Sequence, residues 1–296
     1  MTAAPRGRFD LVLLGVAVVA VSTSAPLIRE ADAPALAIAF WRTGLAVPLT
    51  GLLVVVSHRD ELSALTPTAR RGSTLAGVFL ALHFATWIPS LSYTSVASSV
   101  ALVCAMPVWT ALLARWRGSP VGSSTWRGII LALSGVVLLT GVDFSVTPRA
   151  LFGDLLALVG GIFSALYVDA GAGVRRQVST AVYATICYGV AALLLLSVCL
   201  GGGQALAGYD GTTWLVLLGM LVGPQLLGHT VVNQVLRTMS PTTVSVAILG
   251  EIVGSALLAW IFFGEVPPVA ALPAGVLIGA GVVLTRRPSE VDLELA

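Results

Sequence analysis

Residues 177 to 209 carry no charged side chain. A helix needs about 20 mainly apolar residues to cross the hydrocarbon core of a bilayer. In lipid the backbone must satisfy its own hydrogen bonds, and long unbroken apolar runs do so as helix. The pattern recurs along the chain. Ten apolar runs cover approximately residues 11–28, 35–56, 73–92, 95–114, 126–142, 152–171, 180–200, 214–235, 242–263 and 267–285. The breaks between them are short and polar, among them READA at 29–33, SHRDELSALTPTARRGS at 57–73, RGSPVGSSTWR at 117–127, GVDFSVTPRA at 141–150 and GYDGTT at 208–213. Only 10% of the chain is charged, against about 25% in a soluble domain. The predicted class is an all-α integral membrane protein with ten transmembrane helices. Arg6 and Arg8 before the first run, and AVSTSA after it, imitate a signal peptide. Nine further runs make a retained span the expectation.

Arginine placement predicts the topology, because cytoplasmic loops hold the excess of positive charge. With the N-terminus inside, that side receives Arg6, Arg8, Arg59, Arg70, Arg71, Arg115, Arg117, Arg127, Arg175, Arg176, Arg237, Arg286 and Arg287. The other side receives Arg29 and Arg149. Both termini are therefore expected in the cytoplasm and the chain in the cytoplasmic membrane. A net charge of +2 gives no reason to expect a nucleic-acid partner. Cys104, Cys187 and Cys199 fall in apolar runs without CxxC spacing and read as small buried hydrophobes.

Laid on itself at an offset of 146, the chain aligns residues 75–139 with 221–285 without a gap. His83 falls on His229, Ser99-Val100-Ala101 on Ser245-Val246-Ala247, and Gly135-Val136-Val137-Leu138 on Gly281-Val282-Val283-Leu284. At a slightly different offset, Asp10-Leu11 falls on Asp154-Leu155. Two five-helix repeats follow, expected over 10–142 and 152–285, with 286–296 as a cytoplasmic tail. Five is odd, so the second repeat enters the membrane from the opposite face. Inverted repeats of this kind are the architecture of many secondary transporters, with the substrate site near the midplane between them.

Polar groups at that depth cost about 2.5–3.5 kcal/mol for a charge on insertion scales. Glu251 lies near the middle of the ninth run, as a proton- or amine-binding carboxylate or as a structural partner of an arginine. Arg42 lies well inside the second. It either snorkels toward Glu30 or Asp32 or presents its fork to a carboxylate. His83 and Trp87 stand at i and i+4 and share a helix face. Gln225, His229 and Asn233 repeat every four residues through the eighth run. Trp41, Trp109, Tyr167, Tyr183 and Tyr188 are candidates for an aromatic wall or for interfacial packing. The Gly275 and Gly279 pair is expected to permit close helix packing. Pro26, Pro89, Pro107 and Pro224 are candidate helix breaks. The sequence shows no zinc-ligand cluster, P-loop or Gly-rich nucleotide fingerprint, so neither cofactor nor ATP coupling is expected.

Several segments carry a resemblance to a known family. AFWRTGLAV with Arg42, SSVALVCAMPVWTALL with Pro107, ILGEIVGSALLAWIFFGE with Glu251, and GVLIGAGVVL resemble segments of the EamA family in the drug/metabolite transporter superfamily. Two positions depart from its pattern: Ile252 stands where proline often follows the ninth-span glutamate, and Ser119 stands where the first repeat usually ends in glutamate. The resemblance covers about residues 10 to 285. It implies a small-metabolite transporter, often an exporter of amino acids, amines or related compounds. Proton exchange and facilitated diffusion both occur in such a family. The expected substrate-binding residues are His83, Trp87, Arg42, Glu251, His229, Asn233, Gln225 and Tyr167. The expected partners are a small metabolite, protons if coupled, and the bilayer; monomer and homodimer both remain open. An uncoupled facilitator is the alternative. A lipid-handling protein or membrane enzyme is less favoured, since the loops are too short to hold a catalytic domain.

Overall fold

The computed structural model describes residues 6–94, 96–140, 147–264, 266 and 269–285, with the side chains of 6–8, 96, 97, 259 and 263 outside that description. Ser95, residues 141–146, Glu265, Arg286, Arg287 and the 286–296 tail lie outside the described residues. Every regular element among the described residues is helical. Nine spans are long and apolar enough to cross a membrane, and Ala271–Thr285 forms a shorter tenth. With ten spans, Arg6 at the start of the first and Thr285 at the end of the tenth lie on one face, called here the terminal face.

Five spans run without interruption: the third (Pro67–Ser90), fifth (Ser123–Thr140), sixth (Pro148–Arg175), seventh (Thr180–Gly201) and tenth (Ala271–Thr285). The third starts six residues before the apolar run that announced it. Thr66 caps it by accepting from the Ala69 N–H at 3.2 Å, and Pro67 opens its first turn. Thr147-Pro148 and Ser240-Pro241 start the sixth and ninth spans in the same way. The polar stretch at 57–73 also contains a short helix, Arg59–Ser63.

The other five spans are broken. The first divides at Thr23 into Arg6–Ser22 and Ser24–Glu30, and the second at Leu45 into Ala35–Gly44 and Ala46–Ser57. The fourth divides between Val96–Val103 and Met106–Trp116, the ninth between Pro241–Ile248 and Gly250–Phe263. At the offset of 146 these two breaks fall next to each other, Leu249 standing opposite Val103, the residue before Cys104-Ala105. The eighth runs as α-helix over Gly211–Met220, as π-helix over Leu221–Thr230, and as α-helix again over Val231–Val235. Pro107 opens the second piece of span four, Pro224 sits in the π segment, and Pro26 follows the break in span one. Each lacks the N–H that would continue a regular ladder. Pro89 lies in the last turn of span three and breaks nothing.

Packing follows a two-fold pattern. Span three packs on six and span eight on one, while two packs on seven, four on nine and five on ten. A two-fold axis relating the halves maps the first two contacts onto each other and each of the last three onto itself. Spans five and ten meet through Gly128 and Gly281. A Cβ on Gly128 would lie 2.7 Å from the Gly281 carbonyl oxygen, and one on Gly135 would lie 2.8 Å from that of Ala274. Small residues let backbones approach where lipid offers no hydrophobic drive to associate. Gly275 and Gly279 do not serve this purpose. The first has ordinary room against Val253 and the second has nothing within 4 Å. Packing selects the glycines that face the partner helix, and these two face elsewhere.

Candidate functional site

At mid-depth, the first, second, third, fourth, sixth, eighth and ninth spans surround a cavity of about 60 Å³. Arg42, His83, Trp87, Tyr167, His229 and Glu251 line it. It adjoins a vestibule of about 620 Å³ through Val21, Ser24, Trp87 and Glu251, which line both. The vestibule reaches Arg29, Ala31, Ala33 and Leu91, at the span ends away from the terminal face.

That face is closed. Arg117 and Asp169 form an ion pair at 2.7 Å. Arg175 donates through Nε to the Asn233 carbonyl at 2.9 Å, and its other nitrogens reach the Val178 carbonyl, Thr180 and Gln234. Thr238 donates to Asp10 at 2.8 Å, and the Thr110 and Ser245 hydroxyls meet at 3.0 Å between spans four and nine. Among the described residues the cavity opens toward the vestibule, and these contacts tie the terminal face together.

Arg42 does not snorkel; it is 1% exposed. Its Nε donates to Gln225 Oε1 at 3.3 Å and its Nη1 to Ser24 Oγ at 3.1 Å. The guanidinium carbon lies 4.3 Å from the centroid of Phe84, a cation–π contact strengthened by the dry surroundings. Among the described residues Nη2 has no hydrogen-bond partner. Glu251 follows the break in span nine and is half-buried at the neck between cavity and vestibule. Among the described residues the ion pair is Arg117–Asp169, so Arg42 and Glu251 share the cavity without a direct bridge.

His83 Nδ1 lies 2.9 Å from the Gly160 carbonyl oxygen. A carbonyl can only accept, so Nδ1 carries the hydrogen, and in the neutral ring Nε2 is the acceptor. The imidazole stacks on Trp87 at 5.6 Å and 6°. Gly160 permits this approach: a Cβ there would lie 3.0 Å from the Trp87 Cβ. His229 meets Phe84 edge-on at 5.4 Å and Tyr167 at 5.9 Å. Phe84 thus touches Arg42 and both histidine rings.

Gln225 and Asn233 are fully buried behind this wall. Tyr167 donates to Asn233 Oδ1 at 2.9 Å, and Asn233 Nδ2 donates to the Tyr188 hydroxyl at 3.3 Å. Tyr188 meets Thr230 Oγ1 at 3.0 Å, which donates to the Gln225 carbonyl at 3.2 Å. The chain links the cavity wall to the π segment. Trp41 instead packs against Trp214 and donates to the Leu206 carbonyl at 2.9 Å. Tyr183 is buried against Gly171. Sequence reasoning missed Ser24 and Phe84. A signal for Ser24 existed in Ser22-Thr23-Ser24, where Ser22 and Thr23 bond back to the carbonyls of Val18 and Ala20, a pattern that bends helices. Among the described residues no three His, Cys, Asp or Glu side chains gather to hold a metal.

The profile of the EamA-like transporter family matches residues 9–141 and again 151–287. The chain belongs to that family. A transporter from Archaeoglobus fulgidus is 24% identical over 249 residues, covering 83% of this chain and 80% of the relative. The pseudopaline exporter CntI of Pseudomonas aeruginosa is 26% identical over 266 residues, covering 88% and 90%. A solved crystal structure superposes with a TM-score of 0.79 at 18% identity, covering 97% of this chain and 99% of that one. The protein is thus a multi-pass membrane transporter of small molecules.

Proposed function

We propose that this EamA transporter is a secondary carrier in the cytoplasmic membrane that exports small metabolites bearing ammonium or carboxylate groups, such as amino acids or amines, in exchange for protons. The observation that carries the reading is the pairing of Arg42 and Glu251 in one cavity without a direct bridge. Each charge stays available to a ligand. Arg42 offers a carboxylate its free Nη2, and Glu251 offers an ammonium group or a proton its carboxylate. Trp87, Tyr167 and the two histidines form the walls. The arginine-rich terminal face would be cytoplasmic, so the vestibule opens outward. The exporter named among the relatives supports the direction. Exchange of conformation between the halves would close the vestibule and open the terminal face. An uncoupled facilitator would need a static Arg42–Glu251 pair, whereas Arg42 is held by Ser24 and Gln225.

The test is charge movement in proteoliposomes on a solid-supported membrane, with pools of amino acids, amines and organic acids presented with and without a pH gradient. One pool is expected to give a transient. Glu251→Gln should reduce gradient-driven flux by at least about tenfold while binding partly survives. Unchanged pH dependence in Glu251→Gln would make Glu251 structural and remove the coupling.

A further inference from the structure

We infer that Gln225 and Ser24 are positioning residues that aim Arg42, so that one edge of its guanidinium is left for the substrate's carboxylate. This rests on the reading of Arg42 as a carboxylate receptor. A guanidinium has five N–H donors in a rigid plane, and its orientation decides which of them a ligand meets. Gln225 engages Nε, Ser24 engages Nη1, and the Phe84 ring supports the plane from one side. Among the described residues both N–H of Nη2 and the second N–H of Nη1 are what remain. Gln225 is 0% exposed and stands off the cavity wall, so it meets Arg42 and not the ligand.

Both holders stand at helix irregularities. Ser24 is the first residue after the break in span one, and Gln225 follows Pro224 in the π segment of span eight. A π-helix widens the turn, so the Gln225 side chain takes a direction that a regular helix would not give it. Three spans thus converge on one guanidinium, and the breaks in two of them supply its holders. The break in span one is itself fastened, since Ser255 of span nine donates to the Ser22 carbonyl at 2.7 Å.

The experiment uses the full chain in liposomes and compares leucine with isoamylamine, which is leucine without its carboxylate. Gln225→Met should raise KM for leucine about tenfold and leave its maximal rate and the isoamylamine KM unchanged, the effect of one hydrogen bond to a charged group. Ser24→Ala should raise it by about threefold. In an Arg42→Ala background neither change should add to the loss already present. Gln225→Glu keeps shape and acceptor but pairs its new charge with Arg42. It should also raise KM for leucine alone, which serves if Gln225→Met fails to fold. Additive losses in the Arg42→Ala background, or equal losses for the two probes, would overturn the positioning role while Arg42 kept its own. If wild type moves neither probe, or Arg42→Ala leaves leucine transport unaltered, the carboxylate reading itself falls and this inference with it.

Discussion

The third and eighth spans occupy equivalent places in the two halves, yet they are built differently. Span three is an unbroken α-helix of 24 residues. Span eight passes through ten residues of π-helix. Their histidines share the aligned position, but His83 is tied to the Gly160 carbonyl and stacked on Trp87, while His229 rests on ring edges. One copy is a wall fastened to span six. The other is loosened around Pro224, and the loosening brings Gln225 to Arg42. Two spans in equivalent places thus differ in local structure, the one regular and fastened, the other opened by a π segment.

The largest expected difference lies in Gly77 and its counterpart Gly223. A Cβ on Gly77 would sit 2.5 Å from the Cys187 carbonyl oxygen and 2.8 Å from the Val190 Cβ. Backbone cannot yield there without moving span seven. A Cβ on Gly223 would meet the Thr23 hydroxyl at 2.8 Å and otherwise find room. Gly77→Ala should destabilise by about 1–3 kcal/mol, as overpacking does, and Gly223→Ala by less than about 1 kcal/mol. Thermal unfolding in detergent measures both. Equal losses would remove the distinction between the two spans.

The sequence disclosed depth far better than direction. Hydropathy located the spans, and the cost of a buried charge singled out Arg42 and Glu251, both of which line the cavity. Span three began early because a Thr-Pro cap looks polar to a hydropathy window while being a helix start. Gln225, His229 and Asn233 read as one stripe at α-helical spacing. The π segment changes the spacing between Gln225 and His229, so His229 faces the cavity while Gln225 turns behind it; Asn233, in the α-helix beyond, is buried as well. Ser24 and Phe84 gain their roles only from the breaks and crossings that bring them to Arg42, and such tertiary facts leave no periodic trace. The same applies to Gly281, chosen over Gly275 and Gly279 because its side of span ten meets Gly128 and Ala132 of span five.

A smaller effect separates the two histidines. His83→Ala removes a hydrogen bond to Gly160 and a ring stack, for an expected loss of about 1–2 kcal/mol. His229→Ala removes ring contacts at a half-open surface and should cost under about 1 kcal/mol. Both should alter flux, since both line the cavity. A stability scan showing His229→Ala as the more damaging change would mean that the looser span carries the structural load.

The smallest effect concerns how the two spans begin. Thr66 caps span three with a neutral hydroxyl, whereas Asp210 caps span eight with a carboxylate that accepts from the Thr213 N–H at 2.8 Å. Hydrogen bonds from Thr213, through its hydroxyl and then its backbone N–H, hold the Asp210 carboxyl below its ordinary value of 3.8, with Thr212 adding to the effect. A depressed carboxylate contributes stability that is present above the unfolded value and is lost as pH falls through the folded one. The cap of span eight should therefore weaken only below about pH 4, while that of span three stays indifferent. Amide hydrogen exchange at Thr213 and Ala69 reads this directly. Exchange at Thr213 should accelerate relative to Ala69 as pH falls through that window, and Asp210→Thr should abolish the difference. If the two amides respond alike in wild type, the ionised cap adds nothing that a hydroxyl would not, and the spans differ in their middles alone.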